Sequence, residues 1–145
     1  MNVRRYFEQY NYIPHEIESL EILIKEQKAL ATSIKSIDYS KERVQVSTGN
    51  EPEFQKRIQK ALEYEEEYKN KIDIYYIRRK TIENLIEEVT NPSERIVLKY
   101  KYINSYDNVK IAEKLRISRQ WVDELVGRGL GFVEEVVRIK GITLQ

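Results

Sequence analysis

The side chains with the clearest chemistry in this 145-residue sequence stand together at the start of a predicted helix. Ser118 is a typical N-cap residue, and Arg119 and Gln120 follow it in the first turn. Arginine can pair through two hydrogen bonds with guanine, and glutamine can do so with adenine. The free N–H groups of a helix N-terminus also suit a phosphate. The spacing therefore predicts contact between this helix and the major groove of DNA.

Other polar side chains extend this predicted DNA-contacting surface. Lys110 and Lys114 lie on the preceding helix, where their charges suit phosphates. Trp121 can stack on the nucleic acid, although a single tryptophan beside Val122 more often packs in part against the protein. The complete predicted surface consists of Ser118, Arg119, Gln120, Trp121, Asp123, Glu124, Arg128, Lys110 and Lys114.

Three short helices must position these residues. Asn91 suits the N-cap of the first helix, which the apolar spacing extends to Ile103. Asp107 or Asn108 caps the second helix, and Ser118 caps the third. The short turn between the second and third helices has the spacing of a helix-turn-helix, in which the third helix would be the recognition helix.

Three glycines at alternate positions interrupt the predicted third helix. Gly127, Gly129 and Gly131 are not followed by the Lys-Ser/Thr pair of a phosphate-binding loop, so they predict a weakened or broken helix. An apolar segment then ends near Gly141. It either completes the core of the small module or docks a protein such as RNA polymerase, and the core is favoured because small domains need buried area. The segment contains Phe132, Val133, Val136, Val137 and Ile139.

Two longer helices are predicted before this module, over residues 14–38 and 52–89, each with a proline at its start. Residues 39–50 predict a loop, in which Val44 and Val46 alternate with polar residues as in a short extended stretch. The apolar spacing of both helices alternates between three and four, as in a coiled coil. Because the second helix is the longer, a second copy of the chain is expected to complete the core and form a homodimer. The expected oligomerisation residues are Phe54, Ile58, Tyr68, Ile72, Tyr75, Ile82 and Ile86.

The composition argues against several classes of function. Lys and Arg total 25 and Asp and Glu total 24, but residues 91–145 hold ten basic and seven acidic side chains, which favours contact with a polyanion. With no cysteine and a single histidine, His15, thiol catalysis and zinc fingers are not expected. We predict neither an enzyme nor a cofactor. No signal peptide or membrane-length apolar stretch is visible, so a soluble cytoplasmic protein is expected.

The stretch from Glu94 to Val122 resembles the helix-turn-helix of sigma-70 region 4, through the runs Glu94-Arg95-Ile96-Val97-Leu98, Tyr102-Ile103 and Ile111-Ala112-Glu113-Lys114-Leu115-Arg116-Ile117-Ser118-Arg119. A turn position that is usually glycine in that pattern is Arg116, which must adopt a left-handed conformation or alter the turn. With the helices before it, the whole chain resembles phage late-transcription regulators of the RinA and ArpU type.

The resemblance implies an all-α protein with a helical hairpin over residues 1–90 and a DNA-binding domain over residues 91–145. It implies a sequence-specific regulator of transcription, an activator of a phage late or packaging operon. Such a protein would act in the cytoplasm of the bacterial host, at the nucleoid, with promoter DNA and RNA polymerase as its partners. It would need no metal and no small-molecule cofactor.

Two other classes of function fit the same sequence. A small terminase-like packaging protein also joins a helix-turn-helix to helical oligomerisation segments, and it would assemble into a ring of many subunits. A protein-interaction adaptor would use the three-helix module to bind a protein and would show no salt-sensitive binding to duplex DNA.

Overall fold

The computed structural model describes residues 2–40 and 50–145, so the predicted loop with Val44 and Val46 lies outside the described residues except at its ends. The described residues are 87% helical and include no strand, which confirms the all-α prediction. None of the described helices is both long and apolar enough to cross a membrane. The elements are α1 (Val3–Ser40), α2 (Asn50–Glu87), α3 (Pro92–Leu98), a π-helical segment (Lys99–Ile103), α4 (Asn108–Leu115) and α5 (Arg119–Lys140).

Helix α1 begins at Val3 and not, as the sequence predicted, at Pro14. Pro14 therefore lies inside the helix, where its ring removes one backbone hydrogen bond. The turns before it persist because they carry an apolar stripe whose burial offsets that loss. The stripe consists of Val3, Tyr6, Phe7, Tyr10 and Ile13, none of which is more than 5% exposed.

The chain divides into two compact units, Met1–Ile13 with Tyr75–Gln145, and Pro14–Ile74. This division differs from the predicted boundary at residue 90, because the first residues of the chain and the end of α2 belong to the unit that holds α3, α4 and α5. That unit has fifteen basic and eleven acidic side chains, whereas the other has ten basic and thirteen acidic ones. The net positive charge therefore lies in the unit that holds the predicted DNA-contacting residues.

Residues 14–74 contain two helical segments that pack antiparallel. Their ion pairs run in opposite order along the two segments, since Glu16 pairs with Lys71 at 2.6 Å and Lys28 pairs with Glu65 at 2.7 Å. The hydrogen bond and charge of Lys28 lower the pKa of Glu65. Gln27 fills one position of the predicted apolar row and is buried. This unit therefore has a narrow, partly polar core.

The other unit takes its core from segments far apart in sequence. The rings of Phe7 and Tyr102 meet edge to face with centroids 5.0 Å apart, and those of Tyr10 and Tyr75 are stacked at 5.1 Å. Burial raises the pKa of Tyr102 to about 12. Aromatic contacts of this kind stabilise a fold beyond the area they bury. The start of α1 therefore packs against the π-helical segment and α2 in this core.

Two of the predicted oligomerisation residues belong to the core of a single chain. Ile82 and Ile86 are 0% exposed, so they cannot face a second copy in this fold. Helices α1 and α2 both have 38 residues, so the prediction that the second helix is the longer is wrong. The remaining predicted oligomerisation residues, Phe54, Ile58, Tyr68, Ile72 and Tyr75, are half-buried.

Helix α5 runs without a break through its three central glycines, which contradicts the predicted interruption. Gly129 is buried, and a Cβ there would lie only 2.8 Å from Cδ1 of Leu98, so glycine allows α3 to approach closely. Gly141 ends the helix in a left-handed conformation with φ of 65°. Packing offsets the low helix propensity of glycine. The buried apolar face consists of Val122, Leu125, Val126, Leu130 and Val133.

The segment after the glycines contributes to this core. Val133 is completely buried, and Phe132, Val136 and Val137 are half-buried. Ile139, the last residue of the predicted segment, is 73% exposed and does not contribute to this core. The burial is what we expect of a segment that completes a small core, the alternative that the sequence favoured over a docking tail.

Candidate nucleic-acid interface

Helix α4 and the turn after it set the direction of α5. The side chain of Asp107 accepts a hydrogen bond from the backbone N–H of Lys110 at 2.8 Å and so caps α4. Ile111 and Ala112 are buried, which holds α4 against its neighbours. Arg116 ends the helix with φ of 57°, which is the left-handed conformation, one of the two alternatives that the sequence left open.

The start of α5 presents the first predicted DNA-contacting residues to solvent. Ser118 caps the helix, and its Oγ accepts a hydrogen bond from the backbone N–H of Trp121 at 3.0 Å. The hydroxyl oxygen of Ser118 thus accepts the capping hydrogen bond, and the residue itself is exposed. Arg119 and Gln120 are both exposed in the first turn. Their side chains are therefore accessible to base edges.

The polar side chains that follow in α5 are exposed, but each contacts another side chain of the protein. Asp123 accepts a hydrogen bond from the side-chain amide of Asn108 at 2.5 Å, which links α5 to α4. The guanidinium of Arg128 lies 5.1 Å from the ring centroid of Trp121 and 3.9 Å from the carboxylate of Glu124. Arg128 thus has two partners in the protein, and Trp121 remains 37% exposed beneath its guanidinium.

Lys110 and Lys114 share a partner that the sequence did not predict. The ammonium of Lys110 lies 4.1 Å from the centroid of the Tyr106 ring, and that of Lys114 lies 5.3 Å from it. Both lysines are exposed on α4. Their i, i+4 spacing could have indicated that they share a helix face, but the position of Tyr106 depends on the turn before α4.

That turn follows the π-helical segment. Ser105 has φ of 59°, and the backbone N–H of Tyr106 donates to the carbonyl of Tyr100 at 2.9 Å. The rings of Tyr100 and Tyr106 lie 5.4 Å apart. In addition, the ammonium of Lys101 donates to the side-chain carbonyl of Asn108 at 2.9 Å. These contacts fix the position of Tyr106 and the start of α4.

The N-terminal residues of the chain add a basic group beside α5. An open cleft of about 400 Å³ contains Arg4 together with exposed parts of α5. The backbone N–H of Val3 donates to the carboxylate of Glu134 at 3.2 Å and so joins the start of α1 to this helix. Nothing in the sequence pattern indicated this neighbourhood, because the two segments are more than a hundred residues apart. The cleft is lined by Asn2, Arg4, Gly127, Leu130, Gly131 and Glu134.

The structure therefore places the predicted DNA-contacting residues on neighbouring exposed parts of α4 and α5. In the described ranges 2–40 and 50–145, no group of three or more His, Asp or Glu residues is arranged to hold a metal ion. Comparisons with models of protein families, with curated proteins and with solved structures find no match for the chain.

Proposed function

We propose that the protein is a sequence-specific DNA-binding regulator of transcription in which α4, the turn at Arg116 and α5 act as a helix-turn-helix. In this proposal α5 is the recognition helix and enters the major groove with its first turn. Arg119 and Gln120 contact base edges, and Lys110 and Lys114 contact phosphates. Control of a phage late or packaging operon is the biological role that we propose on the basis of the sequence resemblance.

The observation that carries the proposal is the first turn of α5. It is capped by Ser118, it exposes Arg119 and Gln120, and it follows a helix whose two lysines are also exposed. In the described residues, neither Lys110 nor Lys114 lies in an ion pair, so their charges are not neutralised by the protein. This combination supports contact with both the bases and the backbone of a duplex.

The test begins with selection of bound duplexes from a random-sequence library by the full chain. An enriched sequence is then compared with a scrambled duplex for the wild type, Arg119→Ala and Lys114→Ala. We expect Arg119→Ala to cost about 1–3 kcal/mol on the selected sequence and much less on the scrambled one. We expect Lys114→Ala to weaken binding to both duplexes alike and to reduce the salt slope by about 0.9.

Three results would contradict the proposal in different ways. If Arg119→Ala and Lys114→Ala lose the same affinity on both duplexes, the assignment of base contacts to Arg119 and phosphate contacts to Lys114 is wrong. Duplex binding by a ring of many subunits, measured by sedimentation, would favour a terminase-like packaging protein. The absence of any salt-sensitive binding to duplex DNA would favour a protein-interaction adaptor.

Self-association and contact with RNA polymerase stay predictions. The burial of Ile82 and Ile86 removes part of the surface that the sequence assigned to a dimer. The half-buried residues of the apolar segment after Gly131 leave little free surface for docking a polymerase, except at Ile139.

A further inference from the structure

Two ammonium groups meet one aromatic ring next to the proposed recognition helix. Lys110 and Lys114 are one turn apart on α4, and both reach the ring of Tyr106, at 4.1 Å and 5.3 Å from its centroid. Like charges at this spacing repel each other, so the pair is not favourable by itself. The negative face of an aromatic ring attracts cations and offsets part of this repulsion.

Three basic side chains of α5 are arranged differently. Arg128, Arg138 and Lys140 each lie within 4 Å of a carboxylate oxygen, whereas Lys110 and Lys114 do not in the part of the chain that the structure describes. The ring holds their positions without neutralising their charges, because a cation–π contact supplies no counter-charge. A pair of fixed, uncompensated ammonium groups is suited to an added anion such as a phosphodiester.

We infer that Tyr106 is a positioning residue that holds Lys110 and Lys114 together as one binding site for a backbone phosphate of duplex DNA. This inference rests on the proposed DNA-binding function and adds to it a residue outside the helix-turn-helix. The fixed turn around Ser105 and the contact with Tyr100 place the ring before DNA is bound. Less side-chain freedom is then lost on binding than with two mobile lysines.

The experiment measures the affinity of the full chain for a mixed-sequence duplex by fluorescence anisotropy over a range of salt concentrations. We expect Tyr106→Leu to bind about three- to tenfold more weakly, and Tyr106→Phe to stay within about twofold of the wild type, because phenylalanine keeps the ring. The salt slope of Tyr106→Leu should equal that of the wild type, because both charges remain. Tyr64→Leu is the matched control, since Lys60 lies 5.4 Å from the Tyr64 ring in the other unit.

A second set of variants separates positioning from a general effect on the fold. In the Lys110→Ala, Lys114→Ala background, Tyr106→Leu should cause no further loss of affinity, because the residue acts through the lysines. Without DNA, the side-chain protons of both lysines should show ring-current shifts in NMR spectra of the wild type and Tyr106→Phe. These shifts should be lost in Tyr106→Leu.

The outcomes distinguish this inference from the proposed function. Normal duplex affinity of Tyr106→Leu beside a wild type that binds DNA would overturn the inference and leave the proposed function intact. A further loss in the double-lysine background would also overturn it, since Tyr106 would then act by another route. Absence of duplex binding by the wild type would overturn the proposed function itself, and the NMR shifts would still show whether the ring holds the lysines.

Discussion

Tyr102 shows how a single residue can stabilise this fold through its ring while its hydroxyl contributes little. The residue is 1% exposed, and its hydroxyl meets no hydrogen-bond partner among the described residues. Its ring packs edge to face on Phe7. An unpaired buried hydroxyl loses its hydration without compensation, so replacing it by hydrogen costs little or is favourable.

We therefore predict that Tyr102→Phe has the same free energy of unfolding as the wild type at neutral pH, or a higher one. The measurement is urea unfolding followed by the fluorescence of Trp121, the only tryptophan of the chain. A loss of more than about 1 kcal/mol would show that the hydroxyl has a partner that stabilises the fold.

The same residue makes the stability depend on alkaline pH. The pKa of Tyr102 is raised from 10.0 to about 12 by burial, so the neutral form is favoured in the folded chain. The contribution of neutral Tyr102 to the free energy of unfolding is fully present below about pH 10. This contribution is lost as the pH rises through about 12, because the unfolded chain releases the proton first. Tyr102→Phe should therefore lose stability less steeply above pH 10. Some decline should remain, because burial also raises the pKa of Tyr6 and Tyr10.

At the scale of elements, α5 shows that three similar residues can have different effects in one helix. A Cβ at Gly129 would meet the buried side chain of Leu98, whereas a Cβ at Gly127 or Gly131 would extend into open space. Glycine at these two exposed positions therefore has only its usual entropic cost in a helix. Only Gly129 is required by packing.

We predict that Gly129→Ala lowers the free energy of unfolding by about 1–3 kcal/mol, because Leu98 must shift within a packed core. Gly127→Ala and Gly131→Ala are the matched controls, and each should raise it by about 0.5–1 kcal/mol. Thermal unfolding by circular dichroism measures all three variants. Equal shifts in the same direction would show that helix propensity, and not the approach of α3, decides the effect at Gly129.

At the scale of the whole molecule, the proposed DNA-binding unit is assembled from both ends of the chain. Met1–Ile13 and the end of α2 supply Val3, Phe7, Ile82 and Ile86, all of them 0% exposed. A fragment of residues 91–145 would expose the apolar surface that these residues cover. The unit is therefore not expected to fold from its C-terminal helices alone.

We predict that Phe7→Ala lowers the free energy of unfolding of this unit by about 3–5 kcal/mol, as expected for a buried aromatic side chain. Tyr12→Ala is the control, because Tyr12 is 65% exposed on the same helix, and it should change stability by no more than about 0.5 kcal/mol. Urea unfolding followed by Trp121 fluorescence reports on this unit directly. If Phe7→Ala unfolds like the wild type, the N-terminal turns are not part of its core.

Local sequence patterns determined where the C-terminal helices begin and where α4 ends. Asn91, Asp107 and Ser118 cap α3, α4 and α5, and Arg116 adopts the left-handed conformation that was one of the two expected for it. Caps and turns depend on hydrogen bonds between residues two to four positions apart, so the sequence nearby is sufficient to predict them. The all-α class follows from apolar spacing for the same reason.

Only the tertiary structure decided the features that depend on distant residues. Pro14 lies inside α1 and the glycines lie inside an unbroken α5, because burial against other segments outweighs unfavourable local propensity. Glu134 accepts the N–H of Val3 across 131 positions of sequence, a contact that no local spacing specifies. The exposure of Arg119 and Gln120 could be predicted, because both stand in the first turn after the cap at Ser118. The contact of the Tyr106 ring with two lysines could not be predicted. It depends on a π-helical segment, which the apolar pattern did not distinguish from an α-helix.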